Sequence, residues 1–511
     1  MKKQNMLLLL ATLLTSCGGV DSSSYTEEIT PTESISESDS TTSESISSET
    51  DSYEDSTPTI SESENTSIEV TTPFHKEKNI THYLGSDNDV YRINITTKDN
   101  QFPEDKENYV SGSLSVTEQD QNKVIQTDMN MRIKLRGNST LAADKKPFKI
   151  KFDDKQSMFG LEKSKEWVLL ANYYDKSNIR NYLAYITANK LTNLDFQPSS
   201  IFVDVYFNNE YIGLYLLSEQ MEVKKGRVDI EKNVSDEGIN SFFLEADERA
   251  KDEYKGYQGK CYVSSGGYDF ALKGPDADDY VEALDIVNDP SSSQEDKDEA
   301  LETLNQFDKD TTWLQNFMDQ TSEAIYSQKN YENYIDVNSF IDYYLVQEFF
   351  KNVDVGSTSQ FYVIDQADEH VKLKAGPVWD FDIAAGVVDD STGIYTAYHY
   401  TDLFMRYRDY YTRALFEDQA FQEAVSERYT QIRNDVFLSV FEEMEIAMNV
   451  LEKAQERNIK RWPITDKRST WIEINAYANY YLKLKTIDEQ YNLLYDFLNE
   501  RLAVLDKAYI R

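Results

Sequence analysis

The sequence predicts an α+β protein, with a strand-rich region followed by a helical one and a long unstructured segment ahead of both. Three observations carry this reading. In short runs from about Val90 to Ala246, apolar residues alternate with polar ones, the period of half-buried strands. From about Ala277 onward they recur at i, i+3 and i+4, the period of helices. Residues 18–78 show neither period: they are Ser, Thr, Asp and Glu with few apolar side chains, too few to offset the entropy of ordering. With 511 residues the chain exceeds one ordinary domain, and 40% apolar content is ample for a core.

Taken in order, Met1 to Ser16 reads as a targeting segment: Lys2 and Lys3 precede an apolar run, Met6 to Leu14, too short to remain as a spanning helix. Leu14-Thr15-Ser16-Cys17 resembles a bacterial lipobox, which implies cleavage before Cys17 and a lipid on its sulfur. The expected address is then the outer face of the bacterial cytoplasmic membrane; the alternative is a cleaved secretory signal with an incidental cysteine. Residues 17–78 read as an acidic tether that self-repulsion extends. Its Ser-Xaa-Glu runs resemble acidic kinase substrates, so self-phosphorylation is one reading of them.

Strand patterns follow at Val90–Ile95, Tyr109–Val116 and Met131–Leu135, the last running into the Arg136-Gly137-Asn138 turn. Phe148, Ile150 and Phe152 form one apolar face and leave Lys149 and Lys151 on the other. Asp175 reads as the N-cap of a helix reaching about Leu191. Ile201–Phe207 and Tyr211–Leu217 flank Asn208-Asn209-Glu210 as a hairpin, and the second strand exits at Glu219. Asn240–Ala246 reads as a strand and Asp247–Ser265 as an irregular polar loop or hairpin. Helices are expected at Tyr280–Val287, Glu299–Phe307, Thr311–Ile325 and Val337–Phe350, with Phe340, Tyr343 and Tyr344 as core. Helical spacing returns in Ala414–Val425, Val436–Leu451 and Tyr480–Leu505, with a break at Arg461-Trp462-Pro463.

Chemistry concentrates between Glu348 and Asp382. An aromatic helix end breaks into Asn352-Val353-Asp354; a strand, Phe361–Ile364, follows, then a turn and a second strand from Val371. That strand ends at Gly376-Pro377-Val378-Trp379, and the chain delivers Asp380 and Asp382 at period two, pointing the same way if extended, with Phe381 facing away. A carboxylate among apolar residues is costly unless paired or metal-bound. Hard cations such as Mg²⁺ share carboxylate oxygens with substrate phosphates. Asp354 one segment upstream of Asp380 and Asp382 has the base-plus-metal spacing of phosphoryl transfer. The same residues also fit a solvated turn and a strand-end acid pair.

An ordered set of short motifs accompanies this stretch. They are Arg136-Gly137-Asn138-Ser139-Thr140, Lys145 to Phe152, Trp167 to Asn172, Asp175 to Asn181, Gly213-Leu214-Tyr215 with Glu219, Asn352-Val353-Asp354, and Gly376 to Asp382. In this order, over roughly residues 85–390, the set resembles the spore coat protein H (CotH) kinase family. The resemblance implies an atypical protein-kinase-like bilobal fold, with a strand-rich amino-terminal lobe and a helical carboxy-terminal lobe. It places the kinase-like domain at 79–400 and a helical extension of the second lobe at 401–511. It further implies Mg²⁺ (or Mn²⁺) and ATP, with Asp354 deprotonating a Ser or Thr hydroxyl of a protein acceptor. Asp380 would hold the metal, Asp382 would assist, and Lys149 (alternatively Lys146) would neutralise phosphate. The Arg136–Thr140 turn would stand in for a glycine-rich loop, and Glu219, at the place of a kinase hinge, would touch nucleotide or position a lysine.

Two features depart from the kinase pattern. The helix after Asp175 has no Glu to pair with the strand lysine, and Arg180 there reads as an ion-pair partner for a carboxylate, with phosphate binding as the alternative. Five residues past Asp354 stands Ser359, not the Asn that holds a second metal. Lys149 has a plain alternative too, a lysine on an exposed edge strand that guards against aggregation.

Composition narrows the other classes. Net charge is −39, with 14 acids and no Lys or Arg between Gly18 and Pro73; duplex nucleic acid is an unsuitable partner, while basic proteins and cations are suitable ones. Two cysteines cannot build a disulfide framework, and four scattered histidines show no metal spacing. The main competing reading is a non-catalytic surface adhesin or ligand-binding lipoprotein on the same fold, supported by the scarcity of ATP outside a membrane. A carbohydrate-active enzyme with two carboxylates ranks behind both.

Overall fold

The computed structural model describes residues 80–231, 235, 237–388, 401–465 and 467–510. The targeting segment, Cys17, the acidic tether and most of the tyrosine-rich stretch after Gly386 lie outside the described residues.

Seven strands form a closed barrel: β1 (Tyr91–Thr97), β2 (Val110–Thr117), β3 (Val124–Leu135), β4 (Phe148–Gln156), β5 (Ser164–Leu170), β6 (Ser200–Phe207) and β7 (Glu210–Glu219). Their order is β1-β2-β3-β4-β5-β7-β6, and every pairing is antiparallel except the closure, where β1 runs parallel to β6 with Ile93 beside Val205. Alternation explains the interior. Phe148, Ile150 and Phe152 are buried with Ile93, Ile133, Trp167, Leu169 and Val203, while Lys149 and Lys151 stand on the outer face of β4. The edge-strand account of these lysines fails, because β4 is paired on both sides, to β3 and to β5.

A second, antiparallel sheet has the order β12-β11-β8-β10-β9, built from β8 (Phe242–Ala246), β9 (Tyr262–Ser265), β10 (Tyr268–Gly274), β11 (Gln360–Ile364) and β12 (Leu373–Ala375). Thus Asp247–Ser265 is partly regular, containing β9 and the short helix α2 (Ala250–Glu253). The first helix, α1 (Arg180–Asn189), starts five residues after Asp175. The reason is local: Asn178 takes a left-handed φ of 64°, and Asp175 caps the turn before the helix by accepting from the Ser177 and Arg180 amides.

The helices that follow are α3 (Ala277–Asn288), α4 (Gln294–Ser327) and α5 (Val337–Phe350). Helix α4 is one 34-residue element where two were expected. Asp308-Lys309-Asp310 is polar but helix-compatible, and Asp310 is fixed by accepting from the Asn240 backbone and side chain. Beyond residue 400 come α6 (Met405–Arg408), α7 (Tyr410–Leu415), α8 (Gln419–Ile432), α9 (Ser439–Arg461) and α10 (Ile487–Tyr509). Asp418 caps α8 and so interrupts the helix expected across Ala414–Val425, whereas the break at Trp462-Pro463 stands as expected.

One large apolar core joins α1, the second sheet, α5 and the carboxy-terminal helices. Helix α5 lies at its centre, with Phe340, Tyr343 and Tyr344 buried. Its end is tied to α10, where the buried Arg501 guanidinium donates to Glu348 at 2.6 Å. The same carboxylate accepts from the Phe404 amide at 2.6 Å. The helices after residue 400 therefore brace the segment that begins at Asn352.

Candidate active site

Helix α5 ends at Lys351 in a left-handed conformation, which turns the chain into Asn352-Val353-Asp354. Val353 is buried, and the Asn352 side chain accepts from the Asp354 amide at 3.2 Å, so the loop is pinned on both sides of the acid. Strands β11 and β12 then carry the chain across the sheet and back.

The second strand is shorter than its pattern suggested. It stops at Ala375, because Pro377 lacks an amide for the ladder and Gly376 adopts φ 109°. Asp380 itself has φ 61°, so a tight bend, not strand alternation, sets the direction of the acids. Phe381 does face away, packing edge-on against Phe350 at 5.7 Å in the core.

Three side chains hold this bend. The Phe381 amide donates to the Asn181 side chain at 2.7 Å, and Asn181 in turn donates to Asn172 at 3.0 Å. The Val378 amide donates to Gln197 at 2.9 Å. Arg180, fully buried, donates to the Ala384 and Ala385 carbonyls at 3.1 Å each and to Asp175 at 2.5 Å. Burial disfavours the guanidinium charge, yet Asp175 beside it holds its pKa above the ordinary value. The ion-pair reading of Arg180 is the observed one, and α1 is the element that positions the Asp380–Asp382 bend.

Arg136, Lys149, Asp380 and Asp382 line one polar cleft of about 370 Å³, between the ends of β3 and β4 and the second sheet. The Arg136 guanidinium sits 5.6 Å from the Trp379 ring centre. Lys149 pairs with Glu166 on neighbouring β5 at 2.6 Å, and Lys151 shares that carboxylate at 3.0 Å. A glutamate on the next strand thus pairs with the lysine, since α1 has none to offer. Lys146 turns away and donates to the Leu141 carbonyl, so of the two lysines only Lys149 reaches the cleft.

Asp354, Asp380 and Asp382 interact as a cluster. Burial, then the charge of Asp380, raises the Asp354 pKa well above the carboxylate range. Burial, followed by Asp380, Asp175 and Asp354, does the same to Asp382, which shares a hydrogen bond with Asp380. Asp380 is raised by burial, with Arg136 and Arg249 opposing. Like charges crowded together favour protons or a cation. Among the described residues no group of three or more His, Cys, Asp or Glu forms a metal cage. A pair of carboxylates that leaves room for water and phosphate oxygens is instead the donor set suited to Mg²⁺.

Glu219 is placed elsewhere. It is buried, accepts from the Ser199 amide at 2.9 Å and faces Arg227 at 3.3 Å, while its neighbours Gln220 and Met221 line the cleft. Ser359 lines the cleft too; Gln360 is buried and spans Gly356 and Asp409.

Several cleft residues went unnoticed in the sequence. Lys134 pairs in register with Lys149, and alternation in Met131–Leu135 already placed it on the same outer face. Arg249 donates to Asp247 at 2.8 and 2.9 Å and to Thr358 at 2.6 Å, which joins the second sheet to the loop after Asp354. Nothing in its polar surroundings marks it. Lys273 faces Glu245 at 3.1 Å in the same cleft.

An α+β protein whose barrel rim and second sheet converge on paired aspartates ringed by cations is built to hold a charged ligand. The chain belongs to the CotH kinase protein family, whose profile matches residues 133–505. That match begins inside β3, just before the first quoted motif, and ends within α10, well past the last, so it takes in the helices after residue 400. A search of curated proteins finds no match.

Proposed function

We propose that this protein transfers a phosphoryl group from Mg²⁺–ATP to a Ser or Thr hydroxyl of a protein acceptor. The observation that carries the reading is the convergence of Asp380 and Asp382 beside Arg136, Lys149 and Lys134 in one cleft, with Asp354 outside its lining but close enough to couple by charge to both acids. The fold then reads as two lobes in kinase order, the barrel with α1 first and the second sheet with its helices after it, with the cleft between.

Phosphoryl transfer is catalysed mainly by positioning and charge. Asp380 and Asp382 would hold Mg²⁺, which when bound supplies positive charge at the phosphates. Lys149, kept in place by Glu166, Lys134 and Arg136 supply further positive charge from the barrel side. Asp354 orients the acceptor hydroxyl and accepts its proton, a task for which its raised pKa suits it. Ser359 and Gln220 offer neutral hydrogen-bonding groups at the cleft wall. The acidic surface favours a basic acceptor, and a lipid on Cys17 would put the enzyme at a membrane surface.

The test is label transfer from radioactive ATP with Mg²⁺ or Mn²⁺ to a basic acceptor protein and to a peptide of the acidic tether. Incorporation that disappears in both Asp354→Ala and Asp380→Ala is the expected result. Absence of incorporation together with absence of any nucleotide-induced rise in melting temperature would overturn the proposal.

A further inference from the structure

Several quoted motif residues do not reach the aspartate cleft. Lys145 and Lys176, with Tyr173 beside them, instead line a second cavity of about 280 Å³, whose wall also includes Trp462 and Ile464 beyond the end of α9. Gly213 makes this junction: with φ 128°, it leaves room for side chains that a Cβ would meet within 3.0 Å, namely Lys145, Trp462 and Asn458.

The direct contacts of the two lysines are carbonyls and rings, while the nearest carboxylates act on them only at longer range. Lys145 is 2% exposed; its ammonium donates to the Leu214 carbonyl at 2.5 Å and lies 4.6 Å from the Tyr215 ring centre. Lys176 donates to the Tyr173 carbonyl at 2.7 Å and lies 3.9 Å from that ring. Each ammonium has three donors, and no ion pair joins either to a described carboxylate.

Nearby acids are engaged elsewhere. Asp175 belongs to Arg180, Asp204 to Arg457, and Asp144 to Lys467 at 3.5 Å. Glu473 accepts from the Ser469 and Thr470 amides and hydroxyls. Arg461, also at the rim, faces Glu210. Burial and mutual repulsion push Lys145 down to about 7, and burial pushes Lys176 down to about 8. Buried ammonium groups without a direct ion pair are costly even with carboxylates at longer range, and an anion between them reduces the cost. General attraction cannot account for an anion here, because the chain carries a net charge of −39.

We infer that this second cavity binds a phosphate group, held by Lys145 and Lys176, with the apolar wall at Trp462 and Ile464 receiving any organic part of the ligand. Lysines act on phosphate as point charges, and the volume lies at the small end of small-molecule sites. The cavity adjoins the aspartate cleft at Asn172, but Lys145 and Lys176 line only the second cavity, so the inference stands whether or not the cleft transfers phosphoryl groups.

Calorimetric titration of the full chain with inorganic phosphate and, separately, with glucose 6-phosphate tests this. The expected result is saturable binding that weakens about tenfold or more in Lys176→Gln and in Lys145→Met, as loss of a charged hydrogen bond predicts. An Arg136→Ala/Lys149→Ala variant, altered only in the aspartate cleft, keeps the wild-type affinity. Tighter binding of the sugar phosphate identifies an organic phosphate as occupant, and equal binding identifies the free ion; both support the site. Lys176 is half-buried, so its variant is informative even where Lys145→Met fails to fold. No saturable heat at millimolar ligand, or binding lost in the cleft variant and kept in the lysine variants, would overturn it.

Discussion

Replacing Arg180 with Met tests the claim that α1 sets the Asp380–Asp382 bend. The substitution leaves Asp175, 1% exposed, without its cation and removes donors from the Ala384 and Ala385 carbonyls. Breaking a buried pair by deleting one partner costs about 3–5 kcal/mol. With an unfolding entropy of about 2.1 cal/mol/K per residue over roughly 430 residues, that is a drop of about 3–6 °C in melting temperature. Adding Asp175→Asn removes the stranded charge, so the double variant should recover about half of the loss, a coupling that a thermal-melt cycle reads directly. Phosphoryl transfer should fall in both variants, since neither ties down the chain after Asp382. Melting within 1 °C of wild type for Arg180→Met, or strictly additive effects, would refute the reasoning.

The remaining predictions concern charge and packing. Asp354, Asp380 and Asp382 have pKa values above those of the unfolded chain, so the folded protein holds extra protons and loses stability as pH rises from about 4. In EDTA, Asp382→Asn should therefore melt above wild type at pH 7–8, the gap closing toward pH 4; parallel melting curves would contradict this. Magnesium should raise the melting temperature of wild type more than that of Asp380→Asn, as scanning fluorimetry would show. Gly213→Ala should cost about 1–3 kcal/mol in denaturant unfolding, from its positive φ and three close contacts. Phe381→Ala, which empties a core site, should cost about 3–5 kcal/mol by the same measurement.

Sequence pattern reached different parts of the molecule unequally. Alternation in Phe148–Phe152 named the buried and outward faces of β4 correctly, because a strand buried on one side writes its geometry at period two. Closure was not legible: the parallel β1–β6 pairing joins residues more than a hundred positions apart, and nothing local records it. Helix ends were misjudged where a side chain outweighed the period. Asp175 looked like a cap but serves the Arg180 guanidinium and the turn before α1, and a left-handed Asn178 delays the helix. At the site, Asp380 and Asp382 stood out as acids in apolar surroundings, and Asp354 as the acid of the polar turn that ends an aromatic helix. Arg249 and Lys273 did not, since charged residues in polar stretches look alike until the sheet is assembled.

Barrel closure also decides how the chain can be divided. A fragment trimmed to the family match would begin at Ile133 and lose β1, β2 and most of β3. It would uncover Phe148, Ile150, Val203 and Val205, which line the interior. β4 would lose two of its five paired positions on β3, and β6 all of its pairing with β1, leaving unpaired amides and carbonyls along β6 and at the end of β4. Such edges recruit any strand they meet, and in a purified sample the nearest is another copy of the same fragment. The portion that defines kinship is thus smaller than the portion that closes the barrel, and the boundary of a fragment that keeps the barrel closed lies before Tyr91.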